Sequence, residues 1–169
     1  MIKTRALSEI CSPKQWKTIP SSALCDEGYP VYGANGVIGR YSEYNHRDRT
    51  LLVTCRGATC GEVNVCEPFS YVTGNAMSLD NLSEDVSIDY LEAFLKSYDF
   101  RKVISGSAQP QITKGNIGRI RVPIYDCKIQ TQIARVFALT SAIIHQFERV
   151  LEYDDQLVKS RFNWMGVAA

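Results

Sequence analysis

The sequence predicts a mixed α/β (α+β) fold in two parts: a head of short twisted strands with one helix over residues 1–126, then one long helix and its tail over residues 127–169. Three observations predict it. Residues up to Asp126 are broken by glycines into short β-like runs. One segment among them has helical spacing. From Asp126 to about Arg161 neither glycine nor proline occurs, while apolar residues recur at intervals of four and three.

In the head, Tyr29–Tyr32 and Val37–Tyr44 flank Gly33-Ala34-Asn35-Gly36, whose Asn-Gly pair suits a tight turn. Thr50–Cys55 reads as a buried strand, and Glu62–Cys66 alternates with Val63 and Val65 on one face. Asn75–Leu79 is a further short strand. Ser87 is placed to cap a helix whose apolar face is Ile88, Leu91, Phe94, Leu95 and Tyr98. After the irregular run Ser105–Gln111, Arg119–Ile124 alternates again, and Pro123 suits an edge position or a strand end.

Asp126 is a plausible N-cap for the second part. Its apolar row is Ile129, Ile133, Val136, Ile143, Phe147, Val150 and Leu157, with Thr140 and Asp154 as polar members of the same register. Phe137, Ile144, Leu151 and Val158 form a second row beside it. Such a stripe is the seam of a coiled coil. Over some 35 residues the rod spans about 50 Å, whereas a head of ~125 residues has a radius of gyration of only about 14 Å. The rod is therefore expected to overhang its head and to pair through the stripe with a second chain; the alternative is a helix folded back on its own head. Thr140 and Asp154 suit the fixing of register.

Composition narrows the function classes. The 45% apolar and 22% charged fractions are those of a soluble globular protein, and no run approaches the ~18–20 apolar residues of a membrane span. The N-terminus lacks the apolar core of a signal peptide, so a cytoplasmic protein without membrane partners is expected. The six cysteines form no Cys-x-x-Cys pair and the histidines are His46 and His145. Reduced, mostly buried thiols and no metal site are expected. The net charge of +1 hides an uneven distribution. Glu84, Asp85, Asp89 and Glu92 are followed by Lys96, Arg101, Lys102, Lys114, Arg119 and Arg121, with Asp99 the only acid between Lys96 and Arg121. A basic face of this kind suits phosphate.

No catalytic signature stands out. Gly57-Ala58-Thr59-Cys60-Gly61 lacks the Gly-Lys-Ser/Thr ending of a phosphate-binding loop. Cys55 or Cys60 would need a histidine beside it to act as a nucleophile. What remains is a polar set in loops: Asn35, Arg40, Tyr41, Arg56, Asn75, Lys102, Gln109, Gln111, Thr113 and Lys114, with Asn116 near them. Arg, Asn and Gln make paired hydrogen bonds to base edges, and Lys suits phosphate. Turn and cap duty is the alternative for each, most of all for Asn35 and Asn116 beside glycines. The Gln109-Pro110-Gln111 loop has a further alternative, fastening the head to its helix.

The chain resembles the specificity subunit of type I restriction–modification enzymes. The matching pieces are Tyr29–Gly39, Leu52–Gly61, Gly74-Asn75-Ala76, Ser105–Ile112 and Ile120–Ile124, then Gln130 through Ile133-Ala134, and Ser160-Arg161-Phe162. The resemblance implies a target recognition domain that reads double-stranded DNA, followed by a spacer helix. In that family two heads sit at opposite ends of a coiled coil, and each reads half of a bipartite site. Separate methyltransferase subunits, using S-adenosylmethionine, and a restriction motor subunit supply the chemistry. The specificity chain itself is then non-catalytic and needs no cofactor. Family members carry two heads and two helices in one chain, whereas this sequence holds one of each. It is expected to act as a half-subunit that forms a homodimer. The alternative is a module of the same fold that reads no DNA, occupies a subunit slot and modulates or inhibits the enzyme.

Overall fold

The structure, a computed structural model, describes residues 2–106 and 109–167, with side chains to Arg161. Ser107 and Ala108 of the Ser105–Ile112 run lie outside the described residues, as do Met1 and the tail's Ala168 and Ala169.

Among the described residues, three small sheets build the head. The central one is antiparallel, in the order β2 (Ser12–Gln15), β8 (Ala76–Asp80), β5 (Thr50–Thr54), β6 (Val63–Cys66). A second joins β3 (Tyr29–Gly33) to β4 (Gly36–Tyr41) in a hairpin, with β7 (Tyr71–Val72) parallel on the other side of β3. The third pairs β1 (Lys3–Ala6) with β9 (Arg121–Ile124), in the register Arg5↔Val122. Pro123 therefore lies in a two-stranded ribbon, where its missing N–H costs little. Between the strands come α1 (Leu7–Ile10), α2 (Ile88–Ser97), 3₁₀ turns at Ser21–Ala23 and Phe100–Lys102, and α3 (Lys114–Ile117).

The Thr50–Thr54 run does not alternate because β5 is covered on both faces. Leu51 and Val53 enter the main core with Met77 and Leu79 from β8 and Leu91 and Leu95 from α2. Leu52 enters a smaller core with Tyr32, Val72 and Ala76. The predicted strand Val37–Tyr44 ends early, at the pair Tyr29↔Tyr41. Gly28, at φ 113°, turns the partner strand away, so nothing beyond Tyr41 has a ladder to join. The Asn75–Leu79 and Arg119–Ile124 readings shift to Ala76–Asp80 and Arg121–Ile124. The thiols are free, as expected, and mostly withdrawn from water: Cys11, Cys55 and Cys66 are buried and Cys60 partly so, while Cys25 and Cys127 are exposed.

Both predicted caps form. The Ser87 Oγ accepts from Tyr90 N–H at 3.1 Å, and the Asp126 carboxylate accepts from Ile129 N–H at 3.0 Å. From Asp126 the chain enters α4 (Cys127–Val167), one unbroken helix of 41 residues, about 60 Å long. Its first turns lie on α2. There the Gln130 side chain, 2% exposed, satisfies three backbone groups of the head. Its Nε2 donates to Asp85 C=O at 2.7 Å and Tyr125 C=O at 2.9 Å, and its Oε1 accepts from Ser87 N–H at 2.8 Å. Tyr90 reinforces the seam by donating to Pro123 C=O at 2.6 Å. Ile133, Ala134 and Phe137 are half-buried, and every residue from Ala138 to Arg161 is exposed. Ile133, expected in the outward row, thus packs against the chain's own core.

A buried polar knot ties the sheets together. Asn45 clasps Val72 through both backbone groups, and its Oδ1 also meets His46 Nδ1 at 2.7 Å. His46 Nε2 lies 3.0 Å from Asp80, whose other oxygen accepts from Trp16 Nε1 at 3.1 Å. Burial alone raises the Asp80 carboxyl; the hydrogen bonds from His46, Ser78 and Trp16 outweigh burial and hold it below its ordinary value.

The clasp and the knot can each be tested. Gln130→Ala strands three buried backbone groups and should cost about 2–4 kcal/mol in a urea titration; an unchanged midpoint contradicts the clasp. A depressed folded-state carboxyl contributes stability that is complete above about pH 4 and is lost as pH falls through the lower folded value. The gap in urea midpoint between wild type and Asp80→Asn should therefore narrow as pH drops from 6 towards about 2; a constant gap rejects the linkage.

Candidate nucleic-acid interface

The C-terminal end of β5 gathers loops from four parts of the chain. Thr54 Oγ1 donates to Ala34 C=O in the β3–β4 turn. Cys55 N–H donates to Asn75 C=O at 3.4 Å, and Ile112 N–H donates to Cys55 C=O at 3.0 Å. Gln15, from β2, donates to Gly74 C=O and to the Cys55 sulfur, both at 3.0 Å. The strand then opens into the Arg56–Gly61 loop, whose return requires glycine. Gly61 sits at φ 97°, and a Cβ there would lie 2.7 Å from Phe100 Cβ.

Asn35, Arg56, Asn75 and Gln111 come together on this framework. Asn35 is exposed at the hairpin tip, its Oδ1 accepting from Thr59 Oγ1 at 2.6 Å. Arg56 is exposed and forms an antiparallel bridge with Gln111. Gln111 is half-buried and pairs with Ser105 through both backbone groups, at 2.8 and 2.9 Å. Asn75 is exposed. Gln109 is exposed in the same loop as Gln111. Thr113 follows two residues later and caps α3, accepting from Asn116 N–H at 3.2 Å; Lys114 is exposed in the first turn. Among the described residues, no hydrogen bond runs from the Gln109–Gln111 loop to α4, as its alternative reading would require. Gln111 is tied to Ser105 and Arg56, and Gln130 does the fastening.

Arg40, Tyr41 and Lys102 stand apart. Arg40 and Tyr41 lie at the far end of β4, about 15 Å from the turn at ~3.3 Å per residue. The Arg40 guanidinium donates to Gly28 C=O at 2.7 Å, and the Tyr41 ring meets Tyr71 edge-on at 5.3 Å. Lys102 lines a separate cleft with Asn116 and Arg119. Thr59 escaped the sequence reading, although a polar side chain in a glycine-bounded loop was a usable signal. The exposed aromatic group Tyr29, Tyr44 and Phe69 escaped as well, because nothing in its spacing announces that the three rings meet.

The exposed groups here include two cations, Arg56 and Lys114, and the amides of Asn35, Asn75 and Gln109. Burial pushes the Cys55 and Cys60 thiols up, away from the nucleophilic thiolate. Burial also lifts Cys11, helped by the Asp80 charge, to about 12. His46 spends both ring nitrogens on Asn45 and Asp80, and His145 lies on the exposed part of α4.

The family model of the type I restriction modification DNA specificity domain matches residues 2–152. The specificity subunit of the type I restriction enzyme EcoprrI from Escherichia coli is 28% identical over 139 residues, covering 79% of this chain and 34% of that protein. Among solved structures, the S subunit of a type I restriction-modification system from M. genitalium superposes with TM-score 0.70 at 17% identity, over 91% of this chain and 42% of that one. The HsdS subunit from Thermoanaerobacter tengcongensis gives 0.63 at 17% identity, over 88% and 39%. The chain spans about a third of the curated relative's length and about two fifths of the solved chains. By its sequence, matched over most of its length, the chain belongs to the type I restriction modification DNA specificity domain family.

Proposed function

We propose that this chain is the DNA-reading half of a type I specificity subunit. It pairs with a second copy through its long helix to read a bipartite duplex site and directs methyltransferase and restriction subunits to it. It carries no catalytic step of its own and works in the cytoplasm; no described helix is long and apolar enough to cross a membrane. The head, residues 1–126, reads; the rod, from residue 127, sets the distance.

The observation that carries this reading is the rod. Val136, Ile143, Phe147, Val150 and Leu157 are each more than half exposed, as are Ile144, Leu151 and Val158 beside them. Ile129, at 38%, begins the row where the helix leaves the head. A contiguous apolar face of that length exceeds what a lone soluble chain leaves in water. Thr140 spends its hydroxyl on Val136 C=O at 2.9 Å, which lets a polar residue sit in an apolar seam. Asp154 remains exposed at the other polar position. A twofold pair built on this face holds two heads facing opposite ways, which suits an inverted, interrupted site.

At each head, counterion release supplies affinity, and side chains of the loops at the end of β5 supply preference. Arg56, Gln111, Asn75 and Asn35 are placed for base edges, with Gln109 and Thr113 beside them; Lys114 is placed for phosphate. Arg40 and Tyr41 serve a flanking contact.

Light scattering at micromolar concentration should give the mass of two chains, and Phe147→Asp with Val150→Asp should give one while leaving the head's melting temperature unchanged. A wild-type mass of one chain sinks the pairing. In duplex titrations, Lys114→Ala should weaken binding to all sequences alike and flatten the salt slope by about one. Gln111→Ala should shift preference at one position by about 1–3 kcal/mol; equal loss on every sequence removes Gln111 from base reading.

A further inference from the structure

Apart from the loops at the end of β5, a cleft of about 320 Å³ is lined by Tyr98, Lys102, Val103, Ile104, Asn116 and Arg119. Two exposed cations line it, and neither has a carboxylate partner among the described residues. The acid that could neutralise Lys102 is Asp99. It is already taken: its two oxygens accept from Arg101 Nε at 2.7 Å and Arg101 Nη2 at 3.0 Å. Lys102 is therefore left facing the cleft while its neighbour absorbs the acid. Arg119 arrives from the other side, in the turn that follows α3. Asn116 lines the same cleft, held by its Nδ2 donating to Val103 C=O at 3.3 Å.

We infer that this cleft is a phosphate-holding site, with Lys102 and Arg119 as its cations, and that its ligand is the backbone of the duplex whose bases the loops at the end of β5 read. The inference rests on the proposed reading of DNA by those loops. A lysine point charge and an arginine fork converging on an open, polar cleft suit a diffuse oxyanion better than a compact carboxylate. Position favours a backbone phosphate over a free ion. Lys102 is three residues from Ser105, so their Cα atoms are at most ~11 Å apart, and Ser105 is bridged to Gln111. With Gln111 at base edges in a major groove ~12 Å wide, a cation at that distance meets the phosphates that bound the groove. The cleft thus orients the head on the duplex, and the loops choose the sequence.

The test uses the full chain in anisotropy titrations over a range of salt, with two duplexes of different sequence. Lys102→Gln and Arg119→Gln should each weaken binding to both duplexes equally. Each should lower the slope of log affinity against log salt by about 0.9 for every phosphate left without its cation. The ratio between the two duplexes and the melting temperature should stay unchanged, and Arg119→Lys should restore most of the slope. In a parallel arm, inorganic phosphate is added at constant ionic strength. Phosphate-dependent shifts in the amides of Asn116 and Arg119 without any slope change in the variants mean a free-anion site and overturn the inference. If wild type binds and both variants keep its slope, the cleft alone is rejected. A wild-type chain that binds no duplex even at low salt rejects the reading of DNA and the cleft with it.

Discussion

One amide side chain joins the two parts of this molecule. Gln130 lies on the side of α4 that meets the head, and it gives every polar atom it has to backbone groups at Asp85, Ser87 and Tyr125. Those three residues bracket the N-terminus of α2 and the exit from β9. The clasp therefore sets where the helix begins and the direction in which it leaves. Were the junction purely apolar, the rod could roll or slide by a turn at small cost. Directional hydrogen bonds in a dry site forbid this, because any displacement leaves donors and acceptors without partners. The position of anything carried on the far end of the rod depends on this joint.

The second constraint is the end of β5. A strand buried on both faces cannot shift without disturbing two cores at once. The loops that hydrogen-bond to Thr54 and Cys55 inherit that rigidity. Side chains on them can differ in identity without moving the strand that places them, which is the arrangement a recognition surface needs.

Much of this fold was legible in the residues. The unbroken heptad spacing after Asp126, the Ser87 cap with its helical face, the β3–β4 hairpin and the buried Thr50–Thr54 run all appear close to where their patterns placed them. What escaped was what distant partners impose. Lys3-Thr4-Arg5-Ala6 and Ser12-Pro13-Lys14-Gln15 have no alternation of their own. They become strands because Val122 and Ser78 stand opposite them. Single-turn helices such as Leu7–Ile10 are too short to show a period. At the candidate interface, residue type was readable but neighbourhood was not. Asn35 and Gln111 are 76 positions apart and meet around one strand end, whereas Arg40 follows Asn35 closely and is carried off by an extended strand. Gln130 stood in the sequence only as a piece of the family resemblance, and the packing of α4 on α2 shows that it is buried.

The pairing of β1 with β9 has a consequence for how such molecules diversify. The first and last strands of the globule are hydrogen-bonded neighbours, so the polypeptide enters and leaves it at a single doorway beside the root of the rod. Everything between those two strands is a closed excursion. Its contents can vary without moving the root of the rod, provided that the doorway and the backbone groups of Asp85 and Ser87 that hold Gln130 are kept.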